Sequence, residues 1–305
     1  MGISIYIKEI GRGKDGARSL TRLQAADLLG QVLDGAVSDL EVGGFCLAMR
    51  IKGETPDEMA GFLDATHARL ARFPDSGRPT VVLPSYNGAR KLPVLTPLLA
   101  LLLAREGFSV LVHGTATESQ RVLGSDVLAA LNIAPLSRID PLPAGQVAFA
   151  PTELLCPGLK RLLDVRRWVG LRNPAHSLVK LMNPCLGQAL VVSSYTHPEY
   201  AISMAQTLEL MQANALLLRS TEGEVVADAR RMPPMDGFLQ GQRMALEAAQ
   251  SGTLASLPDL PKAIDAATTA AYIEAVLAGQ QTVPRPIERQ VEHILQLTKK
   301  MTSAS

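Results

Sequence analysis

Five short apolar runs, at 80–83, 109–112, 146–150, 189–193 and 215–218, alternate with stretches of helical periodicity through the middle of the chain. Short β-type runs separated by helices are how parallel α/β units are written, so the expected class is α/β with a mainly parallel sheet. In such a sheet the loops leaving the carboxyl ends of the strands form the ligand crevice. Two loops of that kind define the candidate site: Leu83–Lys91 (Leu-Pro-Ser-Tyr-Asn-Gly-Ala-Arg-Lys) and Val112–Thr117 (Val-His-Gly-Thr-Ala-Thr).

Before the first run the pattern is helical. Thr21–Leu33 places Leu28, Leu29, Val32 and Leu33 on one face, with Ser19 or Thr21 as N-cap. Glu41–Ile51 is a second helix, and Thr55-Pro56-Asp57-Glu58 opens a third that is expected to run to Arg72. Residues 1–72 therefore read as a helical domain and 79–305 as an α/β domain. Val283-Pro284-Arg285-Pro286 breaks the chain before a last helix, Ile287–Lys300, after which Thr302, Ser303, Ala304 and Ser305 are expected to fray.

Several function classes recede. A formal charge of +1 gives no global basic signature, so a polyanion would have to meet a local patch. No stretch approaches the about 18 apolar residues of a membrane helix, and Met1-Gly2-Ile3-Ser4 opens no secretory segment, so a cytoplasmic, membrane-free protein is expected. Cys46, Cys156 and Cys185 read as reduced thiols, and the five scattered histidines have no metal spacing. Neither a structural metal nor a cofactor is expected, and no Ser-His-Asp, Cys-His or paired-carboxylate set points to hydrolysis.

Leu40 to Met59, with Glu41-Val42-Gly43-Gly44 and Gly53-Glu54-Thr55-Pro56-Asp57-Glu58, resembles the N-terminal helical signature of anthranilate phosphoribosyltransferases. His113-Gly114, Ser125-Asp126-Val127-Leu128 and Arg172…Asn183-Pro184 match later family positions in the same order, so the resemblance spans about residues 5 to 280. It implies the nucleoside phosphorylase–phosphoribosyltransferase fold, with a small helical domain, to which a helical insertion near 170–185 returns, and a larger α/β domain.

The same resemblance shows what has changed. Where the family's enzymes hold the pyrophosphate of phosphoribosyl pyrophosphate (PRPP) in a Gly-Thr-Gly-Gly-Asp-Gly turn, this chain has Pro84, Ser85, Tyr86, Asn87, Gly88 and Ala89. Proline removes an amide donor, and Tyr86 and Asn87 bring side chains where phosphate needs room. The family's next polar residues fall on Val94, Thr96 and Pro97, and Val112 and Thr115 replace the Lys and Asn around His113-Gly114. The anthranilate-side His-Pro-Ala appears as Cys156-Pro157-Gly158, and the magnesium-binding Asp-Glu pair as Gly223-Glu224. Glu222 could restore a second acid only in a remodelled turn; as residue types, Glu222 and Glu224 read as solvated turn acids. His113 reads equally as a phosphate contact and as a histidine held in its turn. Ser85, Asn87, Gly88, His113, Gly114, Thr115, Thr117 and Glu224 form the expected vestigial phosphate crevice.

Positive charge has been gained. Lys160, Arg161, Arg166, Arg167, Arg172 and Lys180 stand against Asp164 alone, and Arg90 and Lys91 join them from the altered loop. With Leu159, Leu162 and Leu163 inward, Lys160, Arg161 and Arg167 project outward. His176 and Lys180 lie four apart, hence on one helical face. Lys8, Arg12, Lys14, Arg18 and Arg22 form another basic run, and Lys299 and Lys300 a third. Trp168, the single tryptophan, is expected to be buried at a domain seam rather than to stack on bases.

Ser85–Lys91, Arg172-Asn173, Ala175-His176, His197-Pro198-Glu199-Tyr200 and Thr221–Val225 resemble the YbiB-type branch of the family. That resemblance implies a non-catalytic homodimer binding DNA or RNA with little sequence preference, through Arg90, Lys91, Lys160, Arg161, Arg166, Arg167, Arg172 and Lys180. The apolar helical face of 21–51 would form the dimer seam. The competing reading is a phosphoribosyltransferase acting on a substrate other than anthranilate, with His113, Thr117, Asp126, Arg172 and Glu224 doing residual work. A protein-interaction module built on the same face is a third.

Overall fold

A computed structural model describes residues 2–303 apart from Lys14, Ser119, Ala255 and Ser256. Four helices come first: α1 (Ser4–Ile10), α2 (Arg22–Asp34), α3 (Asp39–Lys52) and α4 (Pro56–His67). Three of them start with the same device. Thr21, Ser38 and Thr55 each accept a hydrogen bond from the third backbone N–H of their helix, while Gln24, Glu41 and Glu58 reach back to the cap's own N–H. Each reciprocal pair satisfies two donors that the first turn leaves unpartnered.

The third box does more. Glu58 is fully buried and also accepts from Leu20 N at 2.8 Å and from Lys52 Nζ at 2.6 Å, so one carboxylate joins the ends of α3 and α4 to the stretch of chain entering α2. Phe45 and Phe62 meet edge to face, with centroids 5.9 Å apart, and Arg22 grips Asp64 through two hydrogen bonds of 2.6 and 2.8 Å. The helix expected to reach Arg72 stops at His67, because the chain turns there to bring Phe73 N–H onto Pro184 O.

The sheet has seven strands: β1 (Thr80–Pro84), β2 (Ser109–Gly114), β3 (Val147–Pro151), β4 (Ala189–Tyr195), β5 (Ala215–Arg219), β6 (Met235–Leu239) and β7 (Gln242–Glu247), in the order β3-β2-β1-β4-β5-β6-β7. The first five are parallel, as expected from their apolar runs; β6 and β7 add an antiparallel hairpin that the sequence pattern did not announce. Period-two alternation sends the five runs into two cores. Val82, Leu111, Ala150, Val191 and Leu217 join the core shared with the N-terminal helices, whereas Val81, Val110, Phe149, Leu190 and Leu216 face the opposite core.

Helices fill the crossovers, α5 (Thr96–Arg105), α6 (Gly124–Ala130), the short α7 (Thr152–Leu155), α8 (Pro157–Asp164), α9 (Arg166–Val169), α10 (Ala175–Leu178) and α11 (Pro198–Leu210), and two more, α12 (Ala266–Leu277) and α13 (Arg285–Ser303), follow the last strand. The expected helical return near 170–185 is one turn, α10, set between turns. Leu159, Leu162 and Leu163 of α8 are buried among the N-terminal helices. The last helix starts at Arg285, two residues early, since Pro286 in a first turn has no N–H to lose. It continues through Thr302 and Ser303 instead of fraying; Ala304 and Ser305 lie outside the described residues, as does Lys14.

Candidate functional site

A cleft of about 840 Å³ opens between the helical layer and the carboxyl ends of β4 and β5, with the loop after β1 at its edge. Its floor is two interlocked loops, 85–92 and 220–225. Glu224, which is 5% exposed, accepts four hydrogen bonds: from Asn87 N–H (2.9 Å) and Gly88 N–H (2.8 Å) on Oε1, and from the hydroxyls of Ser85 (2.6 Å) and Thr96 (2.9 Å) on Oε2. Glu222 accepts from the backbone N–H groups of Arg90, Lys91 and Leu92 at 3.1–3.3 Å. The amide-rich loop that would receive an anion is already filled by two of the chain's own carboxylates.

Neither acid is a free turn residue: Glu224 is buried and Glu222 half-buried, and each is the acceptor that converging N–H groups require. The turn between them is fixed by glycine. Gly223 has φ 85°, and a Cβ there would collide with Asn87 Nδ2. Its carbonyl accepts from Lys180 Nζ at 2.9 Å and Ser194 Oγ at 3.1 Å, while its N–H donates to Ser220 Oγ. Gly88, at φ 66°, lies so close to Val122 O that a Cβ would sit 2.6 Å from it.

Magnesium does not fit this donor set. A hard cation needs carboxylate oxygens with lone pairs to give, and those of Glu224 and Glu222 are committed to the 85–92 loop and to Thr96. Among the described residues no group of three or more His, Cys, Asp or Glu could hold a metal ion.

Of the expected crevice residues, Ser85, Asn87, Gly88 and Glu224 are brought together, but facing one another. His113 is fully buried: its Nδ1 lies 2.8 Å from Tyr86 Oη, which also meets Thr152 Oγ1 at 2.9 Å. Burial holds the imidazole down to about 3, hence neutral. It is a core group behind Tyr86, not a phosphate contact, because the side chain that replaced a family glycine now covers it. Gly114 packs under the Ser85 carbonyl and Thr117 Oγ1 donates to Tyr86 O at 3.0 Å, so both brace the loop from behind; Thr115 is half-buried beside them.

The basic residues divide. Arg121, Arg166 and Arg172 converge on Glu118 at 3.1, 2.9 and 3.5 Å, and Arg121 also donates to Asn87 O. Burial raises the Glu118 carboxyl, but Arg121 and Arg166 beside it bring the net shift below the ordinary range. Arg90 and Arg172 line the cleft; Lys91 is exposed at the loop tip. Three expected contacts are engaged within the fold, Lys180 from the wall of the cleft itself. Lys160 pairs with Asp164, Arg161 donates to Leu33 O at the end of α2, and Lys180 is buried, its ammonium pushed down to about 8 by desolvation and turned onto Gly223 O. Each is consumed by a structural partner. Arg167 stays outward, 62% exposed.

Trp168 is the plainest reversal. It is 89% exposed, because α9 is a single turn closed by Gly170 at φ 74° and offers its outer side to solvent. His176 sits in the cleft wall and is held down to about 4, by burial first and then by Arg172. Sequence reasoning passed over Arg50, Arg121 and Arg219. Arg219 carried a usable signal, as the last residue of an apolar strand and so at the crevice end of the sheet.

Residues 5–69 match the family described as glycosyl transferase family, helical bundle domain. The uncharacterized protein YbiB of Escherichia coli (strain K12) is 40% identical over 307 residues, covering 98% of this chain and 95% of that one. An anthranilate phosphoribosyltransferase of Symbiobacterium thermophilum is 29% identical over 259 residues, 79% of this chain and 72% of its own. The crystal structure of anthranilate phosphoribosyltransferase from Thermus thermophilus superposes with a TM-score of 0.69 at 21% identity, over 93% of this chain and 85% of that one. Fold, helical bundle and full-length similarity agree: this chain belongs to the anthranilate phosphoribosyltransferase-like family.

Proposed function

We propose that this protein binds nucleic acid, DNA or RNA, with little sequence dependence, through the cleft and its rim, and that it does so without catalysis. The observation that carries this reading is the charge of the cleft. Arg50, Arg90, Arg121, Arg172, Lys180 and Arg219 line it against Glu54, Glu199 and Glu222, in a chain whose formal charge is only +1. Arg50, Arg90 and Arg219 carry no ion pair among the described residues. Unpaired guanidinium groups around a wide opening suit a chain of phosphates, which they would bind with release of counterions.

The 29% identity to a transferase favours the second reading, a phosphoribosyltransferase with another substrate. Against it stands the filled loop, since PRPP would have to displace Glu224 from four hydrogen bonds and would find no free acid pair for magnesium. A thermal-shift comparison separates the two. The nucleic-acid reading expects an oligonucleotide at low salt to raise Tm and PRPP with magnesium to leave it unchanged; the opposite pattern would establish the transferase.

A second copy of the chain is the proposed partner on the helical layer. Ile5 on α1 and Leu40, Leu47 and Ile51 on α3 are 43–86% exposed, more apolar surface than two adjoining helices of a lone subunit usually leave in water. Light scattering should give a dimer mass that Leu40→Glu reduces to the monomer.

A further inference from the structure

We infer that Trp168 is a stacking platform for an unpaired base, so that the protein selects single-stranded over duplex nucleic acid. This rests on the nucleic-acid reading of the cleft and adds the class of polymer to it.

An indole is a large apolar surface that a folded chain ordinarily hides, and this one, 89% exposed, is the only tryptophan present. Its setting is what gives it a ligand. Trp168 stands just after Arg166 and Arg167 and four residues before Arg172. Arg166 and Arg172 share Glu118, and Arg172 lines the cleft, which places the indole's helix at the cleft rim. Arg167 beside it is 62% exposed, its one ion pair among the described residues, with Asp164, being 3.4 Å long. An exposed apolar ring next in the chain to an outward arginine complements a polymer that alternates flat bases with phosphates. A purely apolar protein partner would have to desolvate Arg167.

Two further rings stand in the cleft itself. His197 and Tyr200 line it with centroids 6.4 Å apart, and Tyr200 is 37% exposed. A strand drawn from rim to cleft would meet aromatic faces at both ends of the arginine set. In a duplex the base faces are already stacked on one another and cannot be shared with an indole, which is why this arrangement discriminates by strandedness.

Because Trp168 is the only tryptophan, the intrinsic emission of the full chain reports on it alone. Titration with a short oligo-dT should quench that emission, and an equal-length duplex should do so far less. Trp168→Ala should weaken oligo-dT binding by about 5- to 100-fold, the range that one stacked base supplies, with duplex binding changed by less than about twofold and Trp168→Tyr largely restoring the affinity. Labelled-oligonucleotide anisotropy must be read in parallel. Salt-sensitive binding with unquenched emission and an unaltered Ala variant would overturn the stacking assignment while leaving the cleft reading intact. Absence of binding by any oligonucleotide would remove the cleft reading itself. A change of Trp168→Ala from dimer to monomer in light scattering, with affinity lost to the same degree for both polymers, would assign the indole to a second copy of the chain and overturn the proposal.

Discussion

Glu224 does for its loop what a bound anion does for a nest of amides. Two backbone N–H groups and two hydroxyls converge on it, and because it is part of the chain it occupies the position with no entropy of association to offset. Glu224→Ala should lower stability by about 2–4 kcal/mol in urea unfolding, since four donors lose their acceptor in a buried place. Inorganic pyrophosphate should then raise the Tm of the variant but not of the wild type. A variant as stable as the parent would show that the loop does not depend on this carboxylate. His113 sets a pH dependence of definite sign. Its folded value of about 3 lies below the ordinary imidazole value of about 6.5, so between them the unfolded chain binds the extra proton. Its contribution is fully present above pH 6.5 and is lost as pH falls, by about 1.4 kcal/mol per unit. His67 and His176, both held down to about 4 by burial, act in the same direction. Urea unfolding at about pH 7.5 and about pH 5, either side of the ordinary imidazole value, should reveal the loss, and equal stability at the two would contradict a buried neutral His113.

At the scale of elements, the three capping boxes carry the helical layer, and Glu58 is the one whose removal matters most. It is fully buried and paired with Lys52, itself 8% exposed in its side chain, so Glu58→Ala strands a cation as well as backbone donors at Leu20 and Thr55. A loss of about 3–5 kcal/mol is expected, against about 1 kcal/mol for Thr21→Ala at the more exposed cap of α2. Denaturant titration of the two variants checks the contrast. Ser38 went unread, its helix starting at Asp39, before the expected Glu41. The caps at Thr21 and Thr55 were legible in sequence, because Thr-x-x-Gln and Thr-x-x-Glu spacing before an apolar run has few other uses. So were the five parallel strands, whose Val- and Leu-rich runs are covered on both faces. The β6–β7 hairpin was not: Met235-Asp236-Gly237-Phe238-Leu239 alternates around a glycine, and its turn uses Gln240-Gly241, at φ 47° and 78°, in place of the more telling Asn-Gly. The exposure of Trp168 was hidden because Val169 and Leu171 make its neighbourhood look apolar, whereas a single helical turn decides direction by geometry that spacing does not contain. The engagement of Glu222 and the burial of Glu224 were hidden for a related reason. Their role as acceptors is set by amides more than 130 residues away in sequence.

Taken as a whole, the molecule keeps a transferase frame and redistributes its charge. Acid side chains occupy the loop that amides would otherwise offer to phosphate, and arginines collect around the opening above it. The near-neutral total conceals this, because 30 Lys and Arg stand against 29 Asp and Glu over the whole chain, so the basic excess at the cleft is offset by acids elsewhere. The consequence is a local field that should draw polyanions at low salt and release them as salt rises. The most direct measurement is the anisotropy of a labelled single-stranded oligonucleotide across a salt series, for the wild type and for Arg90→Glu/Arg219→Glu, two exposed cleft arginines without an ion pair among the described residues. Affinity should fall linearly with salt on a double-logarithmic plot, and the variant should bind more weakly with a slope shallower by about 0.7 for each phosphate contact removed. Binding that ignores both salt and the two substitutions, or no binding at low salt, would contradict the account.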